Sequence, residues 1–287
     1  MKNGINKFMK GMIAIFAIKL VLFGGVFIFQ SCQESDSLEG ENVILAKSDF
    51  RNSINVSIKN LNGIMVSDKV KGNIYSRNGE EMAELQLYAE EGSNISDYYN
   101  YDTSLLLGDL VNIGGTDLMV KYPDGRESDN ITENQELLGT YQISVQEAQT
   151  SLQPTLIESK NYLYAKGLTD LDIQNLLAAD AEGPAMSESD LIPLVMQLIA
   201  EEQNQGLTTN IDYLSLFGTS AHASQIGECA GDALGISAIA AVVNEGLHTS
   251  AGKALLKKAL RKVASRALGW VGAAIFVYEF GDCMDWW

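Results

Sequence analysis

At 287 residues, with 46% hydrophobic and 20% charged side chains, the chain has enough apolar material for one core or two small ones, which excludes global disorder. Its 37 acidic against 20 basic residues leave a net charge of −17. A surplus of that sign repels phosphate backbones and anionic headgroups, so nucleic acid is excluded as a partner of the protein body.

At the start of the chain, Lys2, Lys7 and Lys10 precede an apolar stretch from Met12 to Phe29, which Lys19 interrupts and Gln30, Ser31 and Cys32 follow. This is the layout of a cleavable export signal over residues 1–31. The competing reading is an uncleaved anchor, since the stretch approaches the roughly 20 residues a spanning helix needs. Lys19 near its centre favours the cleaved signal. Removal of residues 1–31 takes away four lysines and no acid, so the charge moves from −17 to −21.

The Ser31–Cys32 junction resembles a bacterial lipobox, in which a small residue precedes an invariant lipid-modified cysteine; Gln30 is bulkier than the usual occupant. That looseness, with Gln33, Glu34, Ser35 and Asp36 just after the cysteine, resembles lipoproteins of the Bacteroidota. The resemblance implies a lipid on Cys32, an outer-membrane address and exposure on the cell surface, with a periplasm-facing orientation as the alternative.

Residues 32–42 are polar, acidic and poor in bulky side chains, as suits a flexible tether. Residues 43–150 are mixed: helical spacing is present at Phe50, Ile54, Ile58 and Leu61 and again from Met82 to Tyr88. A strand is predicted from Leu118 to Tyr122, entering a Pro123–Asp124–Gly125 turn. The polar stretch from Asp124 to Asn134 lacks the alternating ligands and terminal Glu of a calcium loop and reads as a plain loop.

From residue 151 to 205 the pattern becomes a helical unit. Leu152, Leu156, Ile157, Leu163 and Tyr164 are expected on one buried face, with Gly167 as the stop. Thr169 with Asp172 resembles a capping box for a second helix burying Leu171, Ile173, Leu176 and Leu177. A third helix is predicted from Ser187 or Ser189, tolerating Pro193 in its first turns and burying Leu191, Leu194, Val195, Leu198 and Ile199. Gly, Thr, Ser and Asn then mark residues 206–228 as a linker.

Composition changes after residue 228: 6 basic and 5 acidic residues follow, against 10 and 32 between residues 32 and 228. Residues 229–287 are expected to form a separate module. With Cys32 acylated, Cys229 and Cys283 have only each other, and in an oxidising compartment they predict a disulfide. Closing a loop of about 55 residues would contribute roughly 4 kcal/mol. Three helices are predicted between them. The first, about Asp232 to Glu245, is apolar nearly all round and ends at Gly246, with Gly227, Gly231 and Gly235 at a spacing that lets helices approach.

The second, Ser250 to Leu268, sets Leu256, Leu260, Val263 and Ala267 against Lys253, Lys257, Lys258, Arg261, Lys262 and Arg266. The third, Trp270 to Phe280, is again almost wholly apolar. Small membrane-active bacteriocins and interfacial helices share these features, and so does a packed hairpin with one lysine-rich side outward. The basic side could meet a membrane, a partner, or the acidic part of the same chain.

His222 and His248 are the only histidines and read as linker and turn residues, too few for a metal site or a histidine-based nucleophile. No phosphate loop, dinucleotide fingerprint or zinc-protease motif is present. Neither a cofactor nor catalysis is therefore expected. The runs Lys160–Leu163, Gly167–Thr169 and Asp190–Met196, with Gly269, Gly272, Ala274 and Ile275, resemble a Bacteroidota lipoprotein family with a two-cysteine C-terminal segment. That resemblance implies no particular activity.

The fold class expected is mainly α: a small helical bundle, then a disulfide-closed helical hairpin module, with residues 43–150 open to an α+β arrangement. The function expected is an exported surface lipoprotein, held to the membrane by the Cys32 lipid and binding an unspecified protein or surface ligand. A contact-acting antibacterial or membrane-perturbing protein, working through the C-terminal module, is the alternative.

Overall fold

The structure is a computed structural model that describes residues 40–68, 81–90, 104–113, 115–127, 134–178, 186–204, 237–267 and 269–283. The chain divides into two units, residues 1–45 and 46–287. Of the first, residues 40–45 are described and are helical. The signal, lipidation and tether readings at residues 1–39, like the linker at 206–228, lie outside the described residues. Helix accounts for 66% of those described, so the mainly helical class holds.

The second unit opens with helix α1, residues 46–61, which buries Phe50, Ile54, Ile58 and Leu61 as their spacing predicts. Five strands follow: β1 (Met65–Asp68), β2 (Met82–Glu90), β3 (Ser104–Leu106), β4 (Thr116–Lys121) and β5 (Gln135–Ser144). They form one antiparallel sheet in the order β3-β1-β5-β2-β4. A short helix α2 (Leu107–Val111) leaves β3.

The helix expected from Met82 to Tyr88 is β2 instead. Its Glu, Leu and Gln are good helix formers, but pairing on both sides overrides propensity, and Ala83, Leu85, Leu87 and Ala89 alternate inward. The strand and turn at Leu118–Gly125 are as predicted: Gly125 N–H donates to the Tyr122 carbonyl at 3.0 Å, and Tyr122 N–H to that of Arg126 at 2.8 Å.

Helix α3 (Val145–Ala165) is capped by Ser144, whose Oγ accepts from Glu147 N–H at 3.2 Å. It ends at Lys166, then Gly167 at φ 85°. Gly167 N–H donates to the Tyr164 carbonyl and Leu168 N–H to that of Leu163, a Schellman closure that needs the left-handed residue. Leu152, Leu156 and Leu163 are buried as expected, but Ile157 is 52% and Tyr164 39% exposed. Each follows a buried leucine by one residue, which turns it about 100° away from the core face; Tyr162 is buried there instead.

In α4 (Asp170–Leu177) the Thr169–Asp172 capping box is formed, Ile173 and Leu176 are buried, and Leu177 packs partly. Leu171, expected inside, is 65% exposed because Ile173 and Leu176 set the buried side. A 3-10 turn (Glu188–Asp190) leads into α5 (Leu191–Asn204), buried on every side from Leu191 to Ala200.

The last three helices are α6 (Ser237–Glu245), α7 (Ser250–Arg266) and α8 (Gly269–Cys283). They do not form the separate module expected from composition. Residues 46–287 are one unit, in which α7 packs on α4 and α5, and α8 on α2, α3 and α5. The reason lies in α8, buried without interruption from Val271 to Tyr278. A helix with no polar side must be covered all round, and α3 and α5 complete that cover. The inner side of the sheet shares the same core: Leu85, Val120 and Ile143 belong to it with Leu152, Leu198 and Val277.

Candidate interaction surface

Among the residues singled out from the sequence, Cys32 and Cys229 lie outside the described residues. Cys283 closes α8, but its side chain is outside them, and with it the disulfide. The basic side of α7 divides into two. Lys253 Nζ meets Asp172 Oδ1 of α4 at 2.7 Å, and Lys257 Nζ donates to the Asn175 carbonyl at 2.9 Å. The Lys253 hydrogen bond, with those from Thr169, holds the Asp172 carboxyl down at about 2. Lys258 and Lys262 stay exposed, Arg261 is half-buried, and the side chain of Arg266 lies outside the described residues. The charges nearest α4 are thus spent within the chain. His222 is outside the described residues; His248 is exposed, in the turn before the Thr249 cap of α7.

Two buried polar centres went unnoticed in the sequence. In the first, Glu202 of α5 pairs with Lys47 of α1 at 2.7 Å and with Lys166 at the end of α3 at 2.5 Å. The side chains of Lys47 and Glu202 are only 7% and 6% exposed. Burial alone would raise the Glu202 carboxyl, but Lys47 and Lys166 together hold it below its usual range. Burial lowers the Lys47 ammonium despite Glu202. The phenol of Tyr162 is buried beside them and raised well above its ordinary value, by burial first and then by Glu202.

In the second centre, Asp190 is 1% exposed; its Oδ2 accepts from Ser187 N–H at 2.7 Å and Ser187 Oγ at 3.2 Å. The Gly269 N–H at the start of α8 lies close enough to favour its charge, yet Oδ1 makes no well-formed hydrogen bond. Burial raises this carboxyl to about 6. Beside it, Tyr122 Oη accepts from Val271 N–H at 3.2 Å, and Gly269 sits at φ 65° where a Cβ would come within 2.6 Å of that oxygen. Both centres fasten elements together. Among the described residues no group of three or more His, Cys, Asp or Glu could hold a metal ion.

An open feature lies between α1 and α3, a groove of about 610 Å³. On α1 it is lined by Asp49, Asn52, Ser53 and Val56, and on α3 by Thr150, Gln153, Pro154, Ile157 and Glu158. Each set follows the i, i+3, i+4, i+7 spacing of one helical side. Val56 is 47% and Ile157 52% exposed, so the apolar side chains of the lining face outward. The seam beneath is made of small hydroxyl side chains: Thr155 Oγ1 donates to Ser57 Oγ at 2.8 Å, with Ser53, Ser151 and Ser159 buried alongside. Pro154 has no N–H, so the Thr150 carbonyl one turn back loses its helical donor.

Comparison with protein-family models, with characterised proteins and with solved structures found no match. The only sequence signals for the groove were a proline inside α3 and Ile157, an apolar residue one step off the buried stripe. Among the described residues no helix is long and apolar enough to cross a membrane.

Proposed function

We propose that the mature chain begins at Cys32, is held to the outer membrane by a lipid on that residue, and acts at the cell surface by binding a partner rather than by catalysis. The observation that carries the reading is the order of basic residues, apolar stretch, Ser31 and Cys32 at the start of the chain. The open groove between α1 and α3, where Val56 and Ile157 are exposed among polar residues, supports the binding half of it by offering a cleft that a partner could fill. The reading includes a Cys229–Cys283 disulfide that ties the start of the C-terminal helices to the end of α8.

The membrane-perturbing alternative draws on an apolar α8 and a basic α7. Burial of α8 within the unit and the pairing of Lys253 and Lys257 with α4 give both features a packing role, which favours the binding reading. The deciding experiment is the intact mass of the protein extracted from its native membrane, alkylated before and after reduction. A mass starting at Cys32 plus acyl chains, with two alkylations appearing only on reduction, is the expected result. A mass that retains residues 1–31 would overturn the lipid anchor, and a released C-terminal fragment would favour the antibacterial alternative.

A further inference from the structure

We propose that the α1–α3 groove seats one helix of a partner protein, two to three turns long, whose apolar stripe is flanked by lysine or arginine. The proposal rests on the binding reading above and adds the chemistry of the partner. Two helical sides lying next to each other form the cleft that a third helix fills in a bundle, and peptide helices enter such clefts through anchors at i, i+3 or i+4, and i+7. The lining runs from Asp49 to Val56 and from Thr150 to Glu158, which at 1.5 Å per residue is about 10 to 12 Å of helix. Val56 and Ile157 supply the apolar contact.

The charge of the partner follows from what the groove offers. None of its nine lining residues is basic. Asp49 and Glu158 bring carboxylates, and Pro154 leaves the Thr150 carbonyl without its helical donor. A bound helix is therefore best matched if it brings donors and positive charge, and the net charge of −21 left after removal of residues 1–31 draws such a helix in from a distance.

The test measures binding of three labelled peptide helices to the full chain by fluorescence anisotropy. One has an apolar stripe flanked by lysines, one the same stripe flanked by glutamates, and one the lysine composition with the stripe scrambled. The lysine-flanked peptide should bind at least tenfold more tightly than the other two. Ile157→Lys should weaken it at least tenfold, and Asp49→Lys with Glu158→Lys should shift the preference to the glutamate-flanked peptide. These positions are on the surface, and unchanged thermal unfolding will show that the variants fold. No preference among the peptides, or a preference that survives both sets of changes, overturns the proposal.

A photo-crosslinking residue placed at Ile157, and separately at the exposed Leu171 of α4, separates this failure from failure of the binding reading in the producing cells. Crosslinks from position 157 that map to a basic helical segment of another protein support the proposal. Crosslinks from position 171 alone, or from 157 to a second copy of this chain, overturn the groove assignment and leave binding intact. Crosslinks from neither position would overturn both.

Discussion

The basic side of α7 and the α1–α3 groove are both strips along amphipathic helices, yet they are used in opposite ways. On α7 the charges that looked outward in the sequence partly turn inward, with Lys253 and Lys257 holding α4. On α3, Ile157 has the apolar character of a core residue and is left in the open. Periodicity fixes which residues share a side of a helix; which side meets a neighbour depends on the other helices present.

The largest expected effect is at the buried Lys47–Glu202–Lys166 centre, which joins α1, α3 and α5. Glu202→Gln leaves Lys47 buried without its charge partner, and an unpaired buried charge costs about 3 to 5 kcal/mol. Urea unfolding should show that loss; a change below about 1 kcal/mol would mean that Lys47 reaches solvent and that α1 is not held as described.

On the closed side, Leu260→Ala in α7, at a position 0% exposed, should cost about 2 to 5 kcal/mol. A negligible loss would return α7 to an independent module.

A smaller effect depends on pH. Asp190 is raised from its ordinary value to about 6 by burial, so the folded state keeps a proton that the unfolded chain releases near pH 4. The contribution of this one group to stability is then greatest below pH 4, falls as pH rises from about 4 to 6, and is level above. The fall attributable to this group is at most about 3 kcal/mol. Asp190→Asn keeps an acceptor for Ser187 and should flatten that slope in denaturant titrations run from pH 4 to 7; an unaltered slope would assign it to another group. The smallest effect should be on the open side, where Ile157→Ala changes stability by no more than about 0.5 kcal/mol.

Much of the helical layer was legible from local signals. The Thr169–Asp172 box, Gly167 and the α5 leucines each act within a few residues, and the structure repeats them. The sheet was not, apart from β4 and its turn, because β2 is made of helix-forming residues and becomes a strand only by pairing with β4 and β5. The Lys47–Glu202–Lys166 centre was hidden for the same reason: its members come from three elements, and nothing near any of them marks it as buried. The separate C-terminal module was a misreading of a real composition change. That change marks the helices that need most cover, not a boundary between domains.

The order of strands also sets a timetable. β1 lies between β3 and β5, and Ser67 finds Gln142 only about 75 residues later. β3 covers one edge of β1 over a separation of about 40 residues, whereas the other edge stays open until β5 reaches it. The turns and caps of α3 to α5 close over short separations and form fast. Pairing β1 with β5 therefore carries the entropic cost of closing a long loop, and Val66, fully buried in the finished protein, has its complete cover only once that pairing is made.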